Sequence, residues 1–446
     1  METIHELGQE IRDEEIIRWY GPEADYYFIP EQLCTAILKM LMENSLPDEP
    51  QKVLRRMENL QLTHYNDSEL SAVMDYIILV TRLYEQMSVE ICTLTTPDEY
   101  VARYESDYHL IDQLYRWAIE AYYKILPTCP LHDAAQEVKK TADNGYAKWC
   151  NRLNLGWTQC IQDAGGLNSL HVLRQQDFYA SIIRPIQKKV AVIVCDALRY
   201  ELAANLVQEL AKSRHIAKLD AALAMLPTET KFCKPSLLPH KNLTLFGTTD
   251  EQKMCVDNKL LDSTQKRSEF LQSYRDKSIC VSFEEVAQYN TEKNREIFKN
   301  SLVYIFHDSI DASGHDGTGK QVVAGCTQAI QELSILVSKI LSSYNVTEVY
   351  VTADHGFIFN DMEMAEKDKL KVTDEFLEKK SRYYLTTSAR AIPHIVKYPL
   401  SDASGIENAE GMYVAVPEGT NRLAAPAGGY IFAHGGAALQ EMIIPV

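Results

Sequence analysis

A chain of 446 residues is too long for one ordinary hydrophobic core and implies two or three domains. Its 46% apolar content indicates a globular protein, while the formal charge of -17 works against a broad, sequence-independent grip on a nucleic-acid backbone and favours cations as partners. The opening METIHELGQEIRDEE has no signal-peptide pattern, and no apolar run approaches the ~20 residues that span a bilayer, so a cytoplasmic protein without a membrane partner is expected.

Residues 1–180 show long helical patterns and little β-branched alternation, which predicts an all-α helical domain, a bundle or a helical repeat. One helix is expected from Ser68 to Met87, entered through Asp67 as N-cap. Thr96, Pro97, Asp98 and Glu99 make a capping box, and the helix they start is expected to run to Leu126, where Pro127 ends it. Tyr100, Tyr104, Tyr108, Ile111 and Tyr115 read as a packing stripe rather than a cofactor cage. A further helix from Leu131 to Asp163 is broken by Gly165 and Gly166. Nothing in this region has the spacing of a catalytic site. The ten cysteines lack CxxC pairs, and Cys34, Cys195 and Cys326 sit in apolar segments, as reduced core thiols do.

From Phe178 onward, strands alternate with helices, the pattern of a parallel sheet, and residues 181–446 are predicted to form an α/β domain with a mostly parallel sheet flanked by helices. Val190–Val194 and Cys195 read as a strand buried on both faces. A helix is expected from Ala197 to Lys212, packed through Leu202, Leu206 and Leu210 with Ala203 and Val207. Asp196 therefore falls at a strand's carboxyl end, where open α/β sheets place ligand sites. His215–Leu226 is expected as a second strand, ending in LPTETKF. Residues 241–300 read as a polar, irregular insertion or lid. Ser301–Phe306 is the next buried strand and runs into HDSIDASGHDG. A helix follows from Gly319 to Leu341, marked by Cys326, Ile330, Leu333, Val337 and Ile340. The strand Glu348–Thr352 delivers Ala353, Asp354, His355 and Gly356. The tail from Tyr383 reads as short strands, the last of them, Gly429–Ala433, leading into His434, Gly435 and Gly436.

Four strand ends thus carry Asp196; Asp311 and His315; Asp354 and His355; and His434. A lone strand-end aspartate is ordinarily a helix cap, and the set taken singly could be caps and structural carboxylates. Together these six groups exceed the roughly four ligands of one divalent ion and point to two ions, of the kind held ~3.5–4 Å apart. Thr230 in PTET is the expected nucleophile, because a bound cation lowers the pKa of its hydroxyl; Thr228 and Ser236 are alternatives. Arg199 and Lys231 are candidate phosphate-binding groups, although Arg199 has Glu201 as a nearby carboxylate. His240 and His394 read as packing or capping residues.

The order Asp, Thr, DxxxH, DH, HG resembles that of the alkaline-phosphatase superfamily, which includes nucleotide pyrophosphatases/phosphodiesterases, sulfatases and phosphoglycerate mutases. CDALRYE, LPTETKFCKPSLLPH, HDSIDASGH, TADHGFIF and HGGAALQEMIIPV resemble the PglZ family, in particular the type A proteins of BREX phage-defence systems, over about residues 185–446. The resemblance implies one divalent ion at Asp196, Thr230, Asp354 and His355, and a second at Asp311, His315 and His434. His307, Asp308 and Asp316 remain open as alternatives at the second position. The ions implied are zinc, with manganese as the alternative. The activity implied is a phosphohydrolase with a threonine nucleophile in phage defence, with a phosphoester substrate and other defence-system proteins as partners; the sequence itself leans toward diesters, because no second basic cluster near the motifs offers a clamp for the extra charge of a monoester, although Arg199 or Lys231 could serve. A metal-stabilised interaction scaffold and a nuclease are the competing readings. Proteins of this kind are longer at both ends, so the chain is expected to be a portion or a short variant.

Overall fold

A computed structural model describes residues 30–47, 49–64, 69–91, 94–247, 251–314, 317–362, 364, 369–424 and 431–446. Asp67, Ser68, Cys92, His315, Asp316 and residues 425–430 lie outside them. The chain divides into two compact units, one within Met1–Cys92 and Leu110–Trp149, the other within Thr93–His109 and Cys150–Val446. The expected boundary at 180 therefore falls inside the second unit, which also draws on helical residues. Trp157 shows why: its indole is fully buried and donates to Ala437 O at 2.9 Å.

The first unit is helical. Pro30–Met42, Pro50–His64 and Glu69–Ser88 are followed by His109–Tyr122 and the 32-residue helix His132–Asp163, whose residues from Cys150 belong to the second unit. Glu69–Ser88 buries Val73, Met74, Ile77, Val80 and Leu83. A buried polar network joins its neighbours: Tyr115 Oη donates to Asp143 at 2.7 Å, Lys139 pairs with Asp143 at 2.7 Å, and Tyr146 Oη donates to Asp112 at 2.6 Å. Tyr115, Lys139, Asp143, Tyr146 and Asp112 thus partner one another, which offsets the cost of taking them from water.

The capping box at Thr96 and Glu99 is present, with both reciprocal bonds. The helix it starts is not continuous, however. Pro97–Arg103 passes into a π-helical turn, Tyr104–Tyr108, and α-helix resumes at His109–Tyr122, ending before Leu126. Tyr100, Tyr104 and Tyr108 are all buried.

The second unit is built on a parallel sheet in the order Ser278–Ser282, Leu302–His307, Val190–Cys195, Glu348–Ala353. The Val190–Cys195 and Leu302–His307 strands are buried throughout, as expected for strands covered on both faces. The helices Tyr200–Lys212 and Gly319–Ser343 pack on one another. This unit is an α/β fold with helices flanking a parallel sheet, as the strand and helix alternation predicts.

Several elements differ from expectation. The helix after the central strand starts at Tyr200, not Ala197, because Ala197 adopts a left-handed φ of 61° in the turn that follows Asp196. Only Ala221–Leu223 of the expected second strand is formed; it pairs with Leu173–Arg174 and Ile443–Pro445 in a separate small sheet. Ile216 is fully exposed, so the apolar pattern there has no core to face. The described residues of 241–300 form regular elements. A three-stranded antiparallel sheet of Leu243–Gly247, Gln252–Val256 and Lys259–Leu260 leads to the helix Thr264–Tyr274 and to Ser278–Ser282, which joins the main sheet. Its polar residues are outward faces and caps, such as Ser263 and Ser282. In the tail, Phe432–Ala433 pairs antiparallel with Ile358–Phe359, and the last strand is Ile443–Pro445. The nine described cysteines are free and buried, and no described helix is long and apolar enough to cross a membrane.

Candidate active site

The register of the parallel sheet places the site. Cys195 is level with His307 on one side and with Ala353 on the other, so Asp196 and Asp354 leave neighbouring strands at the same height. Asp196 N donates to His307 O at 2.7 Å, which fixes the turn. Asp354 Oδ1 accepts from Ala197 N at 3.2 Å and His355 N at 3.0 Å. Gln175, fully buried, donates to Asp354 O at 2.5 Å and holds the same turn from behind. Gly356 is required here: a Cβ would meet Gln440 O at 2.1 Å.

His355 Nδ1 lies 2.9 Å from Gly356 O, so it carries the hydrogen, and the Nε2 lone pair faces outward. That nitrogen is 3.0 Å from Thr230 Oγ1 and 3.5 Å from Asp196 Oδ1. Thr230 opens the helix Thr230–Ser236 and is 3.4 Å from Asp196 Oδ1. Lys234, on the same helix, places Nζ 2.5 Å from Asp196 Oδ2 and 3.9 Å from Asp354 Oδ2.

Electrostatics follow from burial. Burial raises the Asp196 carboxyl, but Lys234 and His355 outweigh it and hold the group below its ordinary value. Burial, reinforced by the Asp196 charge, pushes Asp354 well above its ordinary value. Burial and the adjacent His434 lower His355 to about 4, leaving a neutral imidazole. Ligand atoms of Asp196, Asp354 and His355 lie within 4.8 Å of one another, and Asp354 Oδ2 is buried without a hydrogen-bond partner. A buried, unbonded carboxylate oxygen beside a neutral imidazole and a second carboxylate is a donor set that suits a divalent cation.

The second group is looser. His434 stacks on His355 with ring centroids 4.1 Å apart. Its Nε2 is 3.6 Å from Asp311 Oδ1, and its Nδ1 is 3.1 Å from Thr228 O and 3.7 Å from Glu229 Oε2. Burial would lower the His434 pKa, but Glu229 and then Asp311 raise it overall. His434 arrives from the Ile358–Phe359 and Phe432–Ala433 pair rather than from a strand of the parallel sheet. A cavity of about 410 Å³ is lined by Asp196, Thr230, Asp311 and His434 together with Met254, Leu260 and Arg267.

The other candidates are placed as follows. His315 and Asp316 lie outside the described residues. His307 is fully buried between Glu332, 2.8 Å from Nε2, and Cys195 Sγ, 3.3 Å from Nδ1, so both its nitrogens are engaged away from the cluster. Asp308 is exposed. Thr228 Oγ1 donates to Gly436 O at 2.8 Å and accepts from Gly435 N at 3.0 Å; Ser236 Oγ donates to Cys233 O at 2.7 Å. Arg199 is buried, 3.9 Å from Glu201 and over the Phe357 ring, and does not line the cavity. Lys231 lines it but is paired with Glu378, which Tyr383 Oη also contacts at 2.6 Å. His240 Nδ1 is 2.8 Å from Leu238 O, and His394 Nδ1 is 3.3 Å from Glu418. Sequence reading passed over Lys234 and Glu229. The four-residue spacing of Thr230 and Lys234, one helical turn, carried a signal for the first.

Residues 178–446 match the family model described as BREX system PglZ alkaline phosphatase-like domain. The alkaline phosphatase-like protein PglZ of Bacillus cereus strain H3081.97 is 28% identical over 463 aligned positions, covering 100% of this chain and 51% of that protein. The alkaline phosphatase-like protein BrxZ of Escherichia coli O9:H4 strain HS is 28% identical over 355 positions, covering 75% of this chain and 40% of that one. The chain thus spans about half the length, or less, of these curated relatives. Among solved structures, human ectonucleotide pyrophosphatase/phosphodiesterase 5 aligns at 11% identity and a TM-score of 0.38, covering 58% of this chain and 87% of that one. Phosphonoacetate hydrolase from Sinorhizobium meliloti 1021, in complex with phosphonoformate, aligns at 12% and 0.38, covering 58% and 89%. With its family model spanning most of the chain, the protein belongs to the PglZ family, and residues 178–446 are its alkaline phosphatase-like domain.

Proposed function

We propose that this domain is a metal-dependent phosphohydrolase, acting on phosphodiesters in a BREX-type bacterial defence system, with Thr230 as nucleophile. The observation that carries the reading is the placement of Thr230 Oγ1, 3.0 Å from the neutral His355 Nε2 and 3.4 Å from Asp196 Oδ1, at the edge of an open cavity. Two divalent ions, zinc or manganese, would be held by Asp196, Asp354, His355 and Thr230, and by Asp311, His434 and His315; when bound they lower the hydroxyl pKa and stabilise phosphoryl oxygens.

The chain's own groups orient the reaction. The helix Thr230–Ser236 aims the hydroxyl at the cavity, and Gly356 O fixes the tautomer that turns the His355 lone pair toward it. A threonine oxygen attacking the phosphorus of a diester gives up its proton, which leaves with the displaced alcohol, and forms a threonyl phosphodiester that keeps the second alcohol; water then releases that product as a monoester and restores the hydroxyl. The diester preference rests on Arg199 and Lys231: one is buried on Glu201 and the other is neutralised by Glu378, so neither adds a free positive charge for a dianionic monoester. In this reading the other partners are proteins of the same defence system, and the site of action is the cytoplasm.

The test is turnover of a chromogenic phosphodiester and of the matching monoester with zinc and with manganese, in the wild type and in Thr230→Ala. Diester hydrolysis abolished by the substitution supports the reading; unchanged turnover overturns it.

A further inference from the structure

The two oxygens of Asp196 face different partners. Oδ1 looks toward Thr230 Oγ1 at 3.4 Å and His355 Nε2 at 3.5 Å, whereas Oδ2 is held by Lys234 Nζ at 2.5 Å. Lys234 follows Thr230 by one helical turn, so a single short helix presents both the hydroxyl and the ammonium to the same carboxylate. Lys234 is only 8% exposed, and its ammonium lies 3.9 Å from Asp354 Oδ2, the buried oxygen that has no hydrogen-bond partner. A lysine is costly to place here unless it answers the two negative charges that converge on it.

We propose that Lys234 is a positioning residue that serves as the tethered cation of this cluster. It fixes Asp196 so that Oδ1 faces the nucleophile, and it holds Asp196 and Asp354 together before any divalent ion arrives. The same ammonium then opposes the ion. Once both carboxyl groups are ionised to hold a dication, two carboxylates, a neutral imidazole and one ammonium sum to a single negative charge, so the ion meets a site half-compensated by the chain itself. Lys234 thereby exchanges metal affinity for a cluster that is already assembled and for a fixed positive charge one turn from Thr230. A purely structural ion pair would not act in this way: its loss would weaken the fold and leave ion binding equal or poorer.

The proposal rests on the reading of Asp196, Asp354 and His355 as ion ligands, and the test separates the two. The full 446-residue chain, stripped with chelator, is titrated with Mn²⁺ by calorimetry as wild type, Lys234→Met and Lys234→Arg, and the melting temperature of each metal-free protein is recorded. Lys234→Met is expected to melt lower without metal, yet to bind Mn²⁺ at least about tenfold more tightly, because a like charge beside the ion has been removed. Lys234→Arg keeps the charge and is expected to stay within about threefold of wild type, a difference of well under 1 kcal/mol. Equal or weaker Mn²⁺ binding by Lys234→Met overturns the tethered-cation role while leaving the ligand reading intact. If Lys234→Met does not fold, Lys234→Arg decides: wild-type affinity supports the role, and a larger change overturns it. If no variant, wild type included, takes up Mn²⁺, the ligand reading falls and this proposal with it.

Discussion

Arg382 and Glu441 form a bidentate ion pair from which solvent is fully excluded. Arg382 Nε lies 3.0 Å from Glu441 Oε1 and Nη2 lies 2.6 Å from Oε2, and neither side chain is exposed. Glu441 also accepts from Gly436 N at 2.8 Å and Ala438 N at 3.0 Å, so the pair clamps the loop that leaves His434. Removing one partner strands a buried charge, which costs about 3–5 kcal/mol. Arg382→Met is therefore expected to lower the unfolding free energy by that amount in urea titration, with His434 loosened as a consequence. A loss below about 1 kcal/mol would show that the pair is replaceable.

The same pair predicts a pH dependence. Burial pushes the Glu441 carboxyl up, but Arg382 and the two backbone amides outweigh it and hold the group below its ordinary 4.5. A depressed folded-state pKa gives stability that is fully present above the unfolded value and is lost as pH falls through the folded one. The stability gap between wild type and Glu441→Gln should be constant near neutrality and shrink below pH 4.5. Urea midpoints measured down through that range check this; a gap that widens on acidification would contradict it.

Gly356→Ala places a Cβ 2.1 Å from Gln440 O, a backbone atom that cannot rotate away. Overpacking of this kind costs about 1–3 kcal/mol. Because Gly356 O also orients His355, a loss of phosphodiester turnover is expected beyond what the fall in stability explains. Wild-type turnover in a folded Gly356→Ala protein would detach the His355 tautomer from the chemistry.

Asp354 sits in the opposite electrostatic situation to Glu441, raised by burial and by Asp196. In metal-free protein near neutral pH, Asp354→Asn removes a disfavoured buried charge while its Oδ1 still accepts from Ala197 and His355. The metal-free melting temperature is expected to rise, and the rise produced by Mn²⁺ in the wild type is expected to vanish. A thermal-shift comparison with chelator and with Mn²⁺ reads both directions.

His307 ends the strand that Asp311 follows, yet their substitutions should separate. His307→Gln breaks contacts to Glu332 and Cys195 and is expected to cost about 1–3 kcal/mol, with the bound-ion count unchanged. Asp311→Asn is expected to lower the ion count while leaving stability close to wild type. Elemental analysis of both purified variants tests the pair; ion loss in His307→Gln would return it to the ligand set.

The parallel core was legible because Val190–Cys195 and Leu302–His307 are covered on both faces and therefore read as unbroken apolar runs. Asp196, Thr230, Asp354 and His355 were nameable because strand ends and their loops are where such folds concentrate polar groups. What resisted reading has one common cause, the dominance of tertiary contacts over local pattern. Ser278–Ser282 is a main-sheet strand inside a stretch whose polarity suggested a loose insertion. The one-turn spacing from Thr230 puts Lys234 on the same side of the short helix, but its meeting with two carboxylates from separate strands is set by tertiary structure that the spacing does not reveal. Arg199 read as a candidate phosphate-binding group with Glu201 as the competing partner, and it is fully buried, 3.9 Å from Glu201.

The level strand ends have a kinetic consequence. The bond from Ala197 N to Asp354 bridges 157 residues, and His307 O reaches Asp196 N from a third strand. Contacts of such sequence separation close late, after the loops between them have given up their chain entropy. An ion that needs both carboxylates therefore has no foothold on a partly paired chain. Its uptake during refolding should lag behind helix formation and mark the moment at which the central strands come into register.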